Sequence, residues 1–123
     1  DLDLLMPETP RQARAFQGVA LTAGFTEELA CRGFLIGALA VFTPLWIAAP
    51  LSVLIFLAAH AYQGFDGMTR IVPISIVLTV MFVISGSLWP GIVLHALVDM
   101  AGGAMMWRIA SQRAVPGPAS AAL

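Results

Sequence analysis

Between Gly33 and Phe65, and again between Ile71 and Val98, the chain contains no Asp, Glu, Lys or Arg. His60 and His95 are the only side chains in those stretches that titrate near neutrality. An apolar run of about 18 or more residues is long enough to cross the ~30 Å hydrocarbon core of a bilayer as a helix. A backbone in lipid must satisfy its own polar groups, which makes helices the default, and no alternating pattern suggests a barrel. Composition agrees. The 123 residues are 59% hydrophobic and 11% charged, against about 45–50% and about 25% in a soluble domain. So few charges do not cover a soluble surface, and such apolar content excludes disorder. A net charge of −1 leaves no basic footprint for nucleic acid. A single cysteine excludes an internal disulfide framework and a cysteine metal cluster.

Capping residues and prolines divide the apolar runs. Thr9-Pro10 places a cap before a proline at the first helical position, and Gln12 completes a capping box. The spacing predicts an all-α bundle of four transmembrane helices at about 10–42, 44–62, 70–86 and 89–110. Thr43-Pro44 starts the second helix, and Pro50 kinks it or marks its real beginning. Gln63-Gly64-Phe65-Asp66-Gly67 reads as a loop, Thr69 caps the third helix with Pro73 in its first turn, and Pro90 opens the fourth. Residues 1–9 form an N-terminal stub without signal-peptide features, 10–113 the membrane core, and 114–123 a flexible tail.

Four spans put both termini on one side. Arg11, Arg14, Arg70, Arg108 and Arg113 fall on that side, and the opposite turns carry no basic residue. This is the positive-inside pattern, so both termini are expected in the cytoplasm; the expected location is the inner membrane of a bacterial cell, which the arginine pattern does not itself specify. Trp46 and Trp89 fall at the outer boundary and Tyr62 and Trp107 at the inner one, as in an aromatic belt.

Glu27, Glu28, Arg32, His60, His95 and Asp99 remain inside the predicted spans. A charged side chain at the bilayer centre costs at least ~2.5–3.5 kcal/mol and normally faces a protein interior or a wet cavity. Glu28 and Arg32 are i,i+4 on one face and can pair. Glu27, one residue round the helix, is the freer carboxylate. His95 and Asp99 are also i,i+4, so Asp99 can orient the imidazole, and Phe56 can wall the pocket beside His60. Each of these residues alone is explained most simply by helix packing, but two carboxylates and two histidines on three helices are not. Gly33-xxx-Gly37 and Gly102-Gly103 read as close helix contacts, the methionines as filler, and Cys31 as an inert thiol inside the membrane.

In order along the chain, Glu27-Glu28-Leu29-Ala30-Cys31-Arg32 fits EExxxR, Phe56-Leu57-Ala58-Ala59-His60 fits FxxxH, and His95-Ala96-Leu97-Val98-Asp99 fits HxxxN/D. The set resembles the CAAX prenyl protease and bacteriocin-processing (CPBP, or Abi) family of intramembrane proteases, over Thr26 to Asp99. The resemblance implies peptide-bond hydrolysis by an activated water. Glu27 and His60 would act on the water, His95 and Asp99 would stabilise the oxyanion, and Glu28 and Arg32 would support the site. It also implies a peptide or protein substrate at the membrane, with the lipid bilayer as the other partner. The cofactor stays open: Glu27, His60 and His95 are a legitimate zinc set with an open fourth position, and a glutamate-only mechanism is the alternative. Asp99 stands where Asn is more frequent, and an ionised Asp cannot donate to an oxyanion. Cys31 stands where an aromatic is common. Members of that family usually carry further N-terminal spans. Two other functions fit the same residues: a non-catalytic membrane scaffold or bacteriocin-immunity protein, and a proton or ion pathway.

Overall fold

A computed structural model describes residues 6–113. The expected tail at 114–123 and the first five residues of the expected stub lie outside the described residues. Every element within them is helical. The first rod combines α1 (Pro10–Glu28), a π-helical segment (Leu29–Leu35) and α2 (Ile36–Ala40). α3 is Leu45–Ala59, followed by a 3-10 turn at Ala61–Gln63, then α4 (Gly64–Ser85) and α5 (Trp89–Arg113).

The capping box forms as the sequence predicts. The Gln12 N–H donates to Thr9 Oγ1, and the Thr9 N–H donates to Gln12 Oε1. Other boundaries differ. Thr43 does not cap α3; its hydroxyl turns back to the Leu39 carbonyl, and Pro44 is the cap residue. Pro50 lies inside α3 rather than at its start. The expected loop at 63–67 is mostly helix, because the reversal is concentrated in Gly64, at φ 73°. That left-handed conformation suits glycine and lets α4 begin at once, six residues before the predicted boundary. Thr69 and Pro73 are therefore interior to α4, and the Thr69 hydroxyl donates to Asp66 O. α4 ends as expected at Ser85, with Gly86 at φ 65° as its cap.

The π segment has a geometric reason. Ala20, Gly24, Glu28, Arg32 and Ile36 are all buried, at a spacing of four. In an α-helix each such step drifts about 40° around the axis, so the five would wind off one face. The wider turn over Leu29–Leu35 brings Arg32 and Ile36 back to it.

α1 packs most extensively on α5, the π segment and α2 pack on α3, and α4 bridges α3 and α5. α1 and α5 meet backbone to backbone at Gly24, where a Cβ would stand 2.7 Å from the Ala96 backbone nitrogen. Of the glycines predicted to sit at contacts, Gly103 meets Phe16 and Gly33 meets Leu88, whereas Gly37 and Gly102 have open space where a Cβ would stand.

The polarity is inverted relative to a soluble domain. Glu28, Arg32, Ser52, Ser75, Thr79 and His95 are buried, while Phe34, Phe42 and Ile84 are 72%, 87% and 81% exposed. Ala61–Ser85 and Trp89–Arg113 are long and apolar enough to cross a membrane, with mean hydropathies of 2.0 and 1.3. α3 is apolar but shorter.

Candidate active site

The interior is organised around one guanidinium. Arg32 Nη1 donates to Glu28 Oε1 at 2.9 Å, both side chains being 1% exposed. Its other nitrogens reach α4: Nε donates to Thr79 Oγ1 at 3.2 Å and Nη2 to the Ser75 carbonyl at 3.0 Å. Its Cζ lies 4.9 Å from the centre of the Phe56 ring on α3. A fork of five rigid donors suits such a junction, where a lysine would offer only a point charge.

Glu28 Oε1 also holds His95, whose Nδ1 lies 2.9 Å away. The hydrogen-bonding partner of His95 is thus Glu28 rather than Asp99. A carboxylate only accepts, so Nδ1 carries a proton, and Nε2 is left outside this bond. His60 is arranged the same way by a different partner. It is the cap residue after α3, at φ −97° and ψ 6°, and its Nδ1 donates to the Phe56 carbonyl at 2.9 Å. Its ring packs on Phe56 with centroids 4.3 Å apart, as the shared face predicts.

The two free nitrogens face a common oxygen. Glu27 Oε2 is 3.7 Å from His60 Nε2 and 3.7 Å from His95 Nε2. Asp99 Oδ2 is 3.6 Å from the same His95 nitrogen. These separations exceed a direct hydrogen bond, and a bridging molecule fits such spacings. Glu27 is one-third exposed and lines an open cavity of about 580 Å³ with Ala15, Gly18, Thr22 and Thr26 among its walls.

The structure therefore brings together Glu27, Glu28, Arg32, His60, His95 and Asp99. The sequence reading did not single out Ser52, Ser75, Thr79, Gly24 or Gly91. Gly91 gives Glu28 its room, since a Cβ there would stand 3.0 Å from Glu28 Oε2. One signal was available: Ser52 is a hydroxyl in an otherwise apolar α3, and Ser75 and Thr79 are hydroxyls in the uncharged stretch of α4 after Arg70.

Glu27, His60 and His95 have the right donor chemistry for zinc. Among the described residues, however, no group of three His, Cys, Asp or Glu side chains is placed to hold one ion.

Residues 10–101 match the model of a family described as Rce1-like, type II CAAX prenyl endopeptidase. No curated protein and no solved structure matches the chain.

Proposed function

The chain belongs to the Rce1-like type II CAAX prenyl endopeptidase family, and from that premise we propose an intramembrane endopeptidase that hydrolyses a peptide bond with a water held by Glu27 and His60. The observation that carries the reading is the pair of 3.7 Å gaps from Glu27 Oε2 to two imidazole nitrogens. A water between Glu27 and His60 gives a proton to the carboxylate as its oxygen attacks the scissile carbonyl. The C–N bond then breaks, and the proton taken by Glu27 passes to the leaving amine. His95 Nε2 donates to the developing oxyanion only as imidazolium, because Nδ1–H is committed to Glu28; that buried carboxylate supplies the compensating charge. Donors held rigidly in a dry site stabilise such charge strongly.

The substrate is a peptide or protein segment reaching the site within the membrane, through the cavity beside Glu27. The chain is an integral membrane protein: its family acts in the membrane and two of its helices are long enough to span it. The finer topology is part of the proposal: four spans, both termini cytoplasmic, in a bacterial inner membrane. The positive-inside pattern of the arginines supports the orientation of the termini. α3 rises about 22 Å over its fifteen residues, less than the ~30 Å core, so His60 would sit inside the bilayer rather than at its edge.

The test is cleavage of quenched fluorescent transmembrane peptides by the chain in liposomes. Glu27→Ala and His60→Ala are each expected to abolish it. Unchanged cleavage in both variants would overturn the reading and leave the scaffold alternative.

A further inference from the structure

Ser52 is the only polar residue within α3, and it is 1% exposed. A hydroxyl in an apolar helix usually donates to a carbonyl one turn back in its own helix. Thr22, Thr26, Ser75 and Ser85 do so, to Gly18, Thr22, Ile71 and Met81. Ser52 instead crosses to the neighbouring rod and donates to the Cys31 carbonyl at 2.9 Å. Cys31 lies in the π segment, and its carbonyl already accepts the Ile36 N–H five residues on. Ser52 thus grips the one stretch of helix whose register differs from the α-helix around it.

The contacts of α3 continue in the same direction. Ser52, Phe56 and His60 are successive i,i+4 residues on one face. Ser52 bonds Cys31 O, the Phe56 ring lies at Arg32, and His60 Nε2 faces Glu27. The upper contact is a hydrogen bond, and the lower one is a 3.7 Å gap with no direct bond to hold it. A slide of α3 along the rod would change that gap first.

We propose that Ser52 is a positioning residue: it pins α3 to the π segment and so sets the separation of His60 from Glu27 two turns away. The kinetic consequence rests on the endopeptidase reading, and the structural consequence does not.

Cys31 is the only cysteine of the chain and His60 and His95 the only histidines, so labels report single sites. The full chain, in liposomes, is labelled with 1-¹³C cysteine for infrared spectroscopy and with ¹⁵N histidine for solid-state NMR. Ser52→Ala removes one oxygen and leaves the packing otherwise intact. It should raise the Cys31 carbonyl frequency, move the His60 Nε2 resonance and spare that of His95. It should also lower kcat about tenfold with KM unchanged, since an ångström of misplacement costs up to ~10²-fold. Ser52→Thr, which keeps the hydroxyl, should restore the carbonyl band and the rate. An unmoved carbonyl band would overturn the proposal, and so would a moved band with His60 and kcat unchanged. If both signals move but the parent chain cleaves no peptide, the positioning role stands and the endopeptidase reading fails.

Discussion

Glu27 and Glu28 are adjacent in the chain and opposite in circumstance. Glu28 is sealed, with one oxygen shared between Arg32 and His95 at 2.9 Å each. Glu27 is one-third exposed and meets its two histidines only across 3.7 Å gaps. The same contrast divides the interior. Arg32, Glu28, Ser75, Thr79 and His95 Nδ1 form a closed set of direct bonds. Glu27, Asp99 and the two Nε2 atoms form an open one. Closed bonds give rigidity but leave no valence for a substrate. Open spacings leave room for a reacting molecule but cannot hold themselves. Each set supplies what the other lacks, and His95 belongs to both through its two nitrogens.

Ranked by cost to the fold, the first way to break this contrast is through the closed set. Arg32→Ala leaves Glu28 as a buried carboxylate without its cation, a loss of about 3–5 kcal/mol. Unfolding in detergent or by steric trapping should register it, and a variant as stable as the parent would show the network to be dispensable. The second concerns the packing that seals it. Gly24→Ala drives a Cβ against the Ala96 backbone, and overpacking of this kind costs about 1–3 kcal/mol. Gly37→Ala is the control, since nothing lies within 4 Å of its Cβ position; it should be neutral or stabilising by up to ~1 kcal/mol. Equal effects at the two glycines would refute the close crossing at Gly24. The third concerns the open set. Glu27→Gln should leave stability within about 0.5 kcal/mol and lower cleavage about 10²- to 10⁴-fold. A fully active Glu27→Gln would place Glu27 outside the chemistry.

What could be read from the sequence was what local spacing determines. The capping box at Thr9 and Gln12, the i,i+4 pairing of Glu28 with Arg32 and the freer position of Glu27 follow from helical geometry alone. Two kinds of feature did not. The first is non-standard backbone: the π segment over Leu29–Leu35 has no local signature beyond the spacing of four from Ala20 to Ile36. The early start of α4 depends on one positive φ at Gly64. The second is contact between helices. Asp99 is the in-helix neighbour of His95, so spacing favoured it as the orienting group. The bonded partner, Glu28, is 67 residues away in the chain. Ser75 and Thr79 were similarly invisible as partners of Arg32, because nothing in α4 itself records which helix it will face.

The smallest expected effect on the fold is also the sharpest probe of the open set. Asp99 is partly exposed, with Oδ2 3.6 Å from His95 Nε2. Neither group there is tied by a direct bond to the other, so Asp99→Asn, nearly isosteric, should not change stability measurably. Its chemistry does change. An ionised carboxylate has no hydrogen to donate, and its charge opposes an oxyanion forming beside His95. The asparagine amide donates instead. One added hydrogen bond is worth about 0.5–1.5 kcal/mol, so kcat should rise about two- to tenfold at neutral pH. The measurement is single-turnover cleavage, where product release does not mask the chemical step. A fall in rate would mean that the carboxylate acts as a charge partner of the His95 imidazolium. Asp99 would then belong with Glu28 in the closed set, and the boundary between the two sets would move to the Glu27–His60 pair alone.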